Sequence, residues 1–243
     1  EFFDYNVGEG EDTDAINLVA ATGDVNEIRY MRSNRDLQIF TLSDELYVPT
    51  YLNQAITPTN AQIRKQTPFG SEFVLPTSID GATIFVERGG RAIREYIYSD
   101  AEDAYISTAI STVATHLIKT PVDIAVVHSG FNTAESYAAL VMADGDMALF
   151  SSNRAEKRAA WTGLTSQGSY KATTAIGDRL FTYQQDVNNN YVLSEFLDDI
   201  GLDNYLYVSR RSKPIRITLA CNMRAGTAVG GRTRSQPCRL HVS

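Results

Sequence analysis

The chain has 243 residues, 43% of them apolar, with a formal net charge of −7. That is enough for a globular protein with one large or two smaller packed cores. No apolar run approaches the roughly 20 residues of a bilayer-spanning helix, and the start at Glu1-Phe2-Phe3-Asp4, without a Met or a basic n-region, is expected of a processed product or a fragment.

The charge is unevenly placed. Residues 209–243 carry eight basic side chains (Arg210, Arg211, Lys213, Arg216, Arg224, Arg232, Arg234, Arg239) and no acidic one, so residues 1–208 hold 14 basic against 29 acidic groups. An acidic body disfavours adhesion to phosphate backbones, whereas the basic segment could make such contacts by itself. The plainer expectation for 209–243 is a solvated arm, or a segment foreign to the fold. Both cysteines, Cys221 and Cys238, lie in it, with only His241 nearby. This spacing suits no zinc site, so free thiols and a reducing compartment during folding are the default, with a disulfide left open.

In chain order, residues 1–15 form an acidic loop or linker. Asp12 and Asp14 have the start of a calcium-loop pattern, but Ile16 and Gly23 stand where further ligands belong. A short strand or helical turn is expected over 16–21, and a strand over 27–31 that ends in the polar turn 33–36. Strands over 37–42 and 46–52 flank Ser43-Asp44-Glu45, and another is expected over 62–67. Residues 82–99 then form a hairpin about Arg88-Gly89-Gly90-Arg91, where Gly-Gly suits a two-residue turn.

One inserted helix is predicted over 105–119, from the spacing of Ile106, Ile110, Val113, Ala114, Leu117 and Ile118, with Asp103 or Ser107 as cap and Pro121 as stop. His116 would lie half-buried beside its apolar face. Strands resume over 123–128, then over 137–143 and 147–152 about Asp144-Gly145-Asp146. They continue over 158–164 with the single Trp161, 170–176, 179–184 and, after Asn188-Asn189-Asn190, 191–197.

The hairpin centres Asp44, Gly90, Gly145 and Asn189 fall 46, 55 and 44 residues apart. Repeats of about 40–50 residues with four short antiparallel strands are the pattern of β-propeller blades, which stack because one sheet cannot bury both faces alone. The expected fold is therefore mainly β: a propeller-like array of four-stranded antiparallel blades with one inserted helix, its body over 16–208. A β-sandwich fits the strand count but suits the spacing less well. Four units are few for a closed ring, as expected if further sequence completes it.

Chemistry-bearing motifs are scarce. There is no GxSxG, no HExxH and no P-loop, and Gly89-Gly90 lies at a hairpin tip, not at a helix start. Paired carboxylates could serve a glycosidase, but Asp198, Asp199 and Asp203, or Glu102 and Asp103, are more simply loop charges. The 13 Tyr and 10 Phe could form a sugar-binding surface, yet most occupy strand positions and suit packing. No catalytic, cofactor-binding or metal-ligating residue is assigned.

A collinear series of short segments adds a resemblance. It runs through Asn26-Glu27-Ile28, Leu37-Gln38-Ile39-Phe40-Thr41 with Glu45, Ile56-Thr57-Pro58, Gln66-Thr67-Pro68-Phe69-Gly70-Ser71 and Pro76. It continues through Ile84-Phe85-Val86-Glu87-Arg88-Gly89-Gly90-Arg91, Arg94-Glu95, Tyr98, Asp103-Ala104-Tyr105, Thr115-His116-Leu117, Ala143-Asp144-Gly145, Ala160-Trp161 and 193–197. Over about residues 16–202 the chain resembles the tail nozzle (tail tubular, DNA-stabilisation) proteins of short-tailed bacteriophages. The resemblance implies a non-enzymatic virion protein, assembled in the host cytoplasm as a homohexameric ring in the virion tail. Its implied partners are the portal and adaptor proteins, the tail fibres, the host envelope at ejection, and genomic DNA passing without sequence-specific contact. No catalytic residue belongs to the pattern. Beyond about Tyr207 the resemblance stops, so a nozzle tip is expected to be missing, replaced or altered. The rival expectation is a propeller-type glycan-binding adhesin or glycosidase.

Overall fold

The computed structural model describes residues 8–12, 14–19, 26–50, 55–130, 135–197, 202–208 and 217–222, with the backbone alone for 197, 202–208 and 217–222. These residues form a mainly β structure with seventeen strands in four antiparallel sheets. The first sheet is β1 (Ile28–Ser33), β2 (Leu37–Thr41), β3 (Glu45–Val48) and β4 (Arg64–Thr67); the second is β5 (Thr77–Ile79), β6 (Ala82–Val86), β7 (Ile93–Ser99) and β8 (Ala104–Ala109). The third is β9 (Pro121–Val127), β10 (Tyr137–Met142), β11 (Met147–Asn153) and β12 (Arg158–Leu164). The fourth has five strands: β13 (Ser169–Ile176), β14 (Arg179–Gln185), β15 (Tyr191–Leu197), β16 (Leu202–Val208) and β17 (Ile217–Asn222).

Within each sheet the spatial order is the chain order, so each is a meander of hairpins. Their first strands begin 49, 44 and 48 residues apart. The four turns centred on Asp44, Gly90, Gly145 and Asn189 each join the second and third strands of a sheet, and this repeated position is the source of the sequence period.

The turns themselves are wider than two residues. At the β6–β7 tip, Glu87 N–H bonds Ala92 O (2.9 Å) and Gly90 N–H bonds Glu87 O (2.9 Å), while Gly89 and Gly90 have φ of 89° and 67°. The expected two-residue Gly-Gly turn is thus a longer loop that uses both positive φ values. In the β10–β11 and β14–β15 turns, Gly145 and Asn189 take the left-handed position (φ 92° and 60°) after an i to i+3 bond, as three-residue hairpin loops require.

The predicted helix over 105–119 does not form. Its first part is strand β8, and its second is a short 3-10 segment, Thr112–Leu117, broken at Ala114 (φ −133°, ψ 32°). The stretch is rich in β-branched residues (Ile106, Thr108, Ile110, Thr112, Val113, Thr115), and β8 finds a full antiparallel partner in β7, from Arg94↔Ala109 to Ser99↔Ala104. Without a helix there is no apolar helical face. Val113 is 84% exposed and His116 is exposed, not half-buried. Residues 15–19 are irregular where a strand or turn of helix was expected over 16–21, and residues 51–52 of the expected strand 46–52 lie outside the described residues. Strand β17 lies inside the basic segment taken for an arm; β16 was not among the strands expected, nor was β5, which meets β6 through the two-residue turn Asp80-Gly81 (φ 48° and 78°).

The chain divides into two compact units, Glu1–Pro76 with Ala82–Val113, and Thr77–Gly81 with Ala114–Ser243. In the first, one face of β2–β3 (Ile39, Leu46, Val48) is buried under Leu18, Leu37, Ile56 and Ile63. The opposite face supplies Phe40 and Tyr47 to an aromatic cluster with Phe85, Tyr96 and Tyr105. In the second, Ala125, Val127, Ala139, Val141 and Met147 of the third sheet pack on Tyr170 and Leu180 of the fourth.

Candidate functional site

The segment Glu45-Leu46-Tyr47-Val48 is a strand of strict period two. Leu46 and Val48 enter the aliphatic core on one face, which sends Glu45 and Tyr47 to the other. Glu45 pairs with Phe40 of β2 and Thr67 of β4, and Tyr47 pairs with Gln38. Strands β6, β7 and β8 bring Thr83, Phe85, Arg94, Tyr96, Tyr105 and Ser107 by the same alternation, since Thr83↔Tyr96, Phe85↔Arg94 and Tyr96↔Ser107 are register pairs. The result is an aromatic layer with polar groups embedded in it.

Its rings are in close contact. Tyr96 and Tyr105 stack at 4.6 Å with planes 10° apart, Phe40 lies 5.2 Å from Phe85, and Tyr47 lies 5.0 Å from Tyr105. Around them the buried polar groups find partners in part. Asp36 accepts from Thr50 N–H (2.7 Å) and Tyr105 OH (2.9 Å), and Gln38 Oε1 accepts from Thr83 Oγ1 (2.6 Å). Among the described residues Gln38 Nε2, Glu45 Oε1 and Tyr96 OH are buried without a hydrogen-bond partner. Such groups are uncommon, because each forfeits its hydration.

Of these groups, Glu45 is the one shifted toward neutrality. Its residue exposure is 0%, and burial pushes its carboxyl up to about 7 against the opposing effects of Thr67, Phe69, Arg94 and Gly70. Oε2 accepts from Thr67 Oγ1 and, at 3.4 Å, from Phe69 N–H. Arg94 acts on it electrostatically, but its guanidinium is bound elsewhere: Nε bonds Glu87 Oε2 at 2.6 Å, and the group lies over the Phe69 ring at 3.2 Å. Desolvation raises Tyr96 well above the usual phenol range, with Glu45 adding to the effect, and burial and the Asp36 bond raise Tyr105. A carboxyl poised near neutrality could exchange protons, yet one sealed between strands has no approach for a substrate. Its chemistry in this conformation is the energetics of its own charge.

The other carboxylates stand elsewhere. Glu102 and Asp103 lie on an exposed turn, where Tyr98 OH bonds Asp103; Asp198 and Asp199 lie outside the described residues, and Asp203 is described only as backbone of β16. Asp14 Oδ2 accepts from Gly10 N–H (2.9 Å) and Glu11 N–H (2.8 Å), a local turn contact. Asp144 and Asp146 share Lys119 Nζ at 2.7 and 3.0 Å, which lowers the Asp144 carboxyl and raises the Lys119 ammonium. No group of three or more His, Cys, Asp or Glu among the described residues is placed to hold a metal ion. Cys221 is described as backbone of β17 and Cys238 is not among the described residues.

The sequence reading assigned no role to Glu45. The available signal was a charged residue in phase with Tyr47 and out of phase with Leu46 and Val48, which places it on a buried aromatic face. Comparison with known proteins finds no family model that matches the chain and no curated relative.

Proposed function

We propose that the chain is a non-enzymatic structural subunit of a short-tailed phage tail nozzle, its meanders serving as blades of a propeller-like body. In this reading, identical heterologous contacts close about six copies into a ring below the portal and adaptor, with tail fibres as further neighbours. The ring retains the genome and conducts it to the host envelope at ejection. The observation that carries the reading is the run of four sequential meanders whose first strands begin 44–49 residues apart, together with the collinear resemblance. The acidic body adds support: 29 acidic against 14 basic residues over 1–208 repel phosphate, as suits a conduit through which DNA slides. The test is sedimentation of the purified chain with assembled portal and adaptor rings. Stoichiometric co-sedimentation is expected, and a chain left in the supernatant would contradict the assignment.

A second reading, a glycan-binding propeller module, is favoured by one surface feature. Tyr183 and Tyr191 are 42% and 52% exposed, and their rings stack at 5.2 Å with planes 4° apart. Beside them Gln185 Nε2 bonds Asn189 Oδ1. Aromatic faces edged by amides suit sugar rings and their hydroxyls.

A further inference from the structure

The segment 67–72 lies between the buried Glu45 and the β6–β7 hairpin tip, and it bonds to both. On the inner side Thr67 Oγ1 and Phe69 N–H donate to Glu45 Oε2. On the outer side Gly70 O accepts from Arg88 N–H (2.9 Å), Ser71 bridges to Glu87, and Glu72 Oε2 accepts from Gly89 N–H (3.1 Å). One cation serves the two carboxylates at the ends of this path. Arg94 now holds Glu87 at 2.6 Å, is only 13% exposed in its side chain, lies over the Phe69 ring, and acts on Glu45 electrostatically.

We propose that Glu45, Arg94 and Glu87 form a proton-operated latch that couples the buried layer of the first unit to the hairpin tip at residues 88–91. With Glu45 protonated, its carboxyl does not compete for Arg94. The guanidinium then stays on Glu87, which anchors the tip. When the proton passes to bulk water, the buried carboxylate has an unpaired Oε1 and no full counter-ion, so it draws Arg94 inward and weakens the Arg94–Glu87 pair. The tip then loosens.

The charged and titratable groups around Glu45 include one cation, Arg94, which favours its charged form against the larger effect of burial. From β7 come Arg94 and Tyr96; Tyr96 in turn is acted on by Glu45, Tyr105 of β8, Tyr47 of β3 and Asp36. Asp44, next to Glu45 on the chain, is paired with Lys65 and bonded by Asn26 Nδ2 at 2.7 Å. Burial pushes the Glu45 carboxyl up to about 7 against the lowering effects of Thr67, Phe69, Arg94 and Gly70, which puts the transition near neutrality.

The test is amide hydrogen exchange by NMR on the full chain from pH 5.5 to 8.5, corrected for the intrinsic pH dependence of exchange. Protection of the Arg88, Gly89 and Gly90 amides is expected to fall by about tenfold through neutrality, the scale of losing one charge-assisted pair, and to stay flat in Glu45→Gln. A fall that persists in Glu45→Gln, or no fall in the unaltered chain, would overturn the latch. Direct titration of the Glu45 carboxyl carbon needs no folded variant at that position. Glu87→Gln frees Arg94 for Glu45 and is expected to move that midpoint down by about one pH unit. An unmoved midpoint would show that the two carboxylates do not share the cation.

Discussion

Glu45 shows how one side chain can set the pH response of a unit. Its ordinary carboxyl value near 4.5 in the unfolded chain rises to about 7 in the folded one, because burial disfavours the charged form. Between these values the unfolded state releases the proton first, so stability falls as pH rises, and the loss is complete above about 7. The span corresponds to about 3 kcal/mol. Denaturant unfolding at pH 4.5 and pH 8 is expected to show this loss relative to Glu45→Gln, whose own curve lacks the component. Parallel pH dependences in the two proteins would mean that Glu45 titrates normally. The face of β3 that carries Glu45 was visible in the alternation with Leu46 and Val48, but the depth of its burial was not, because it follows from the Tyr96 and Tyr105 rings that β7 and β8 bring over that face.

At the scale of elements, turns decide more than propensity. Gly70 has φ 71°, and a Cβ there would lie 2.1 Å from Leu42 O, between the β2–β3 turn and the segment beside Glu45. Gly177 has a similar φ of 64° with nothing within 4 Å. Gly177→Ala is expected to cost about 1 kcal/mol from the left-handed backbone alone. Gly70→Ala should cost more than about 2 kcal/mol, because backbone must also move. Thermal unfolding of both variants checks the contrast, and equal losses would show that the segment 67–72 yields without strain. Strands bounded by such turns were legible: β12 and β15 have the bounds expected from pattern alone. Helical spacing over 105–119 misled because only Ile106 of its apolar positions lies in β8, and the partner that holds 104–109 as a strand, β7, lies earlier in the chain.

At the scale of the molecule, the repeat was legible because each sheet is built from neighbouring segments. Its four second turns sit at equivalent places, so a local signal carries the global period. Strand β5 was missed although Asp80-Gly81 joins it to β6, because three residues are too short to show an alternation, and β17 was hidden by the basic composition of 209–243. The functional proposal rests on the collinear resemblance and the repeat, since the polar groups of the buried layer are scattered over five strands and the β1–β2 turn and form no motif. If the chain is a ring subunit, native mass spectrometry of the purified protein with imaging of the particles will show it. A closed ring of about six copies, each of 26.8 kDa, is the predicted result. A stable 26.8 kDa monomer that binds immobilised glycans would contradict it and move the assignment to the glycan-binding module.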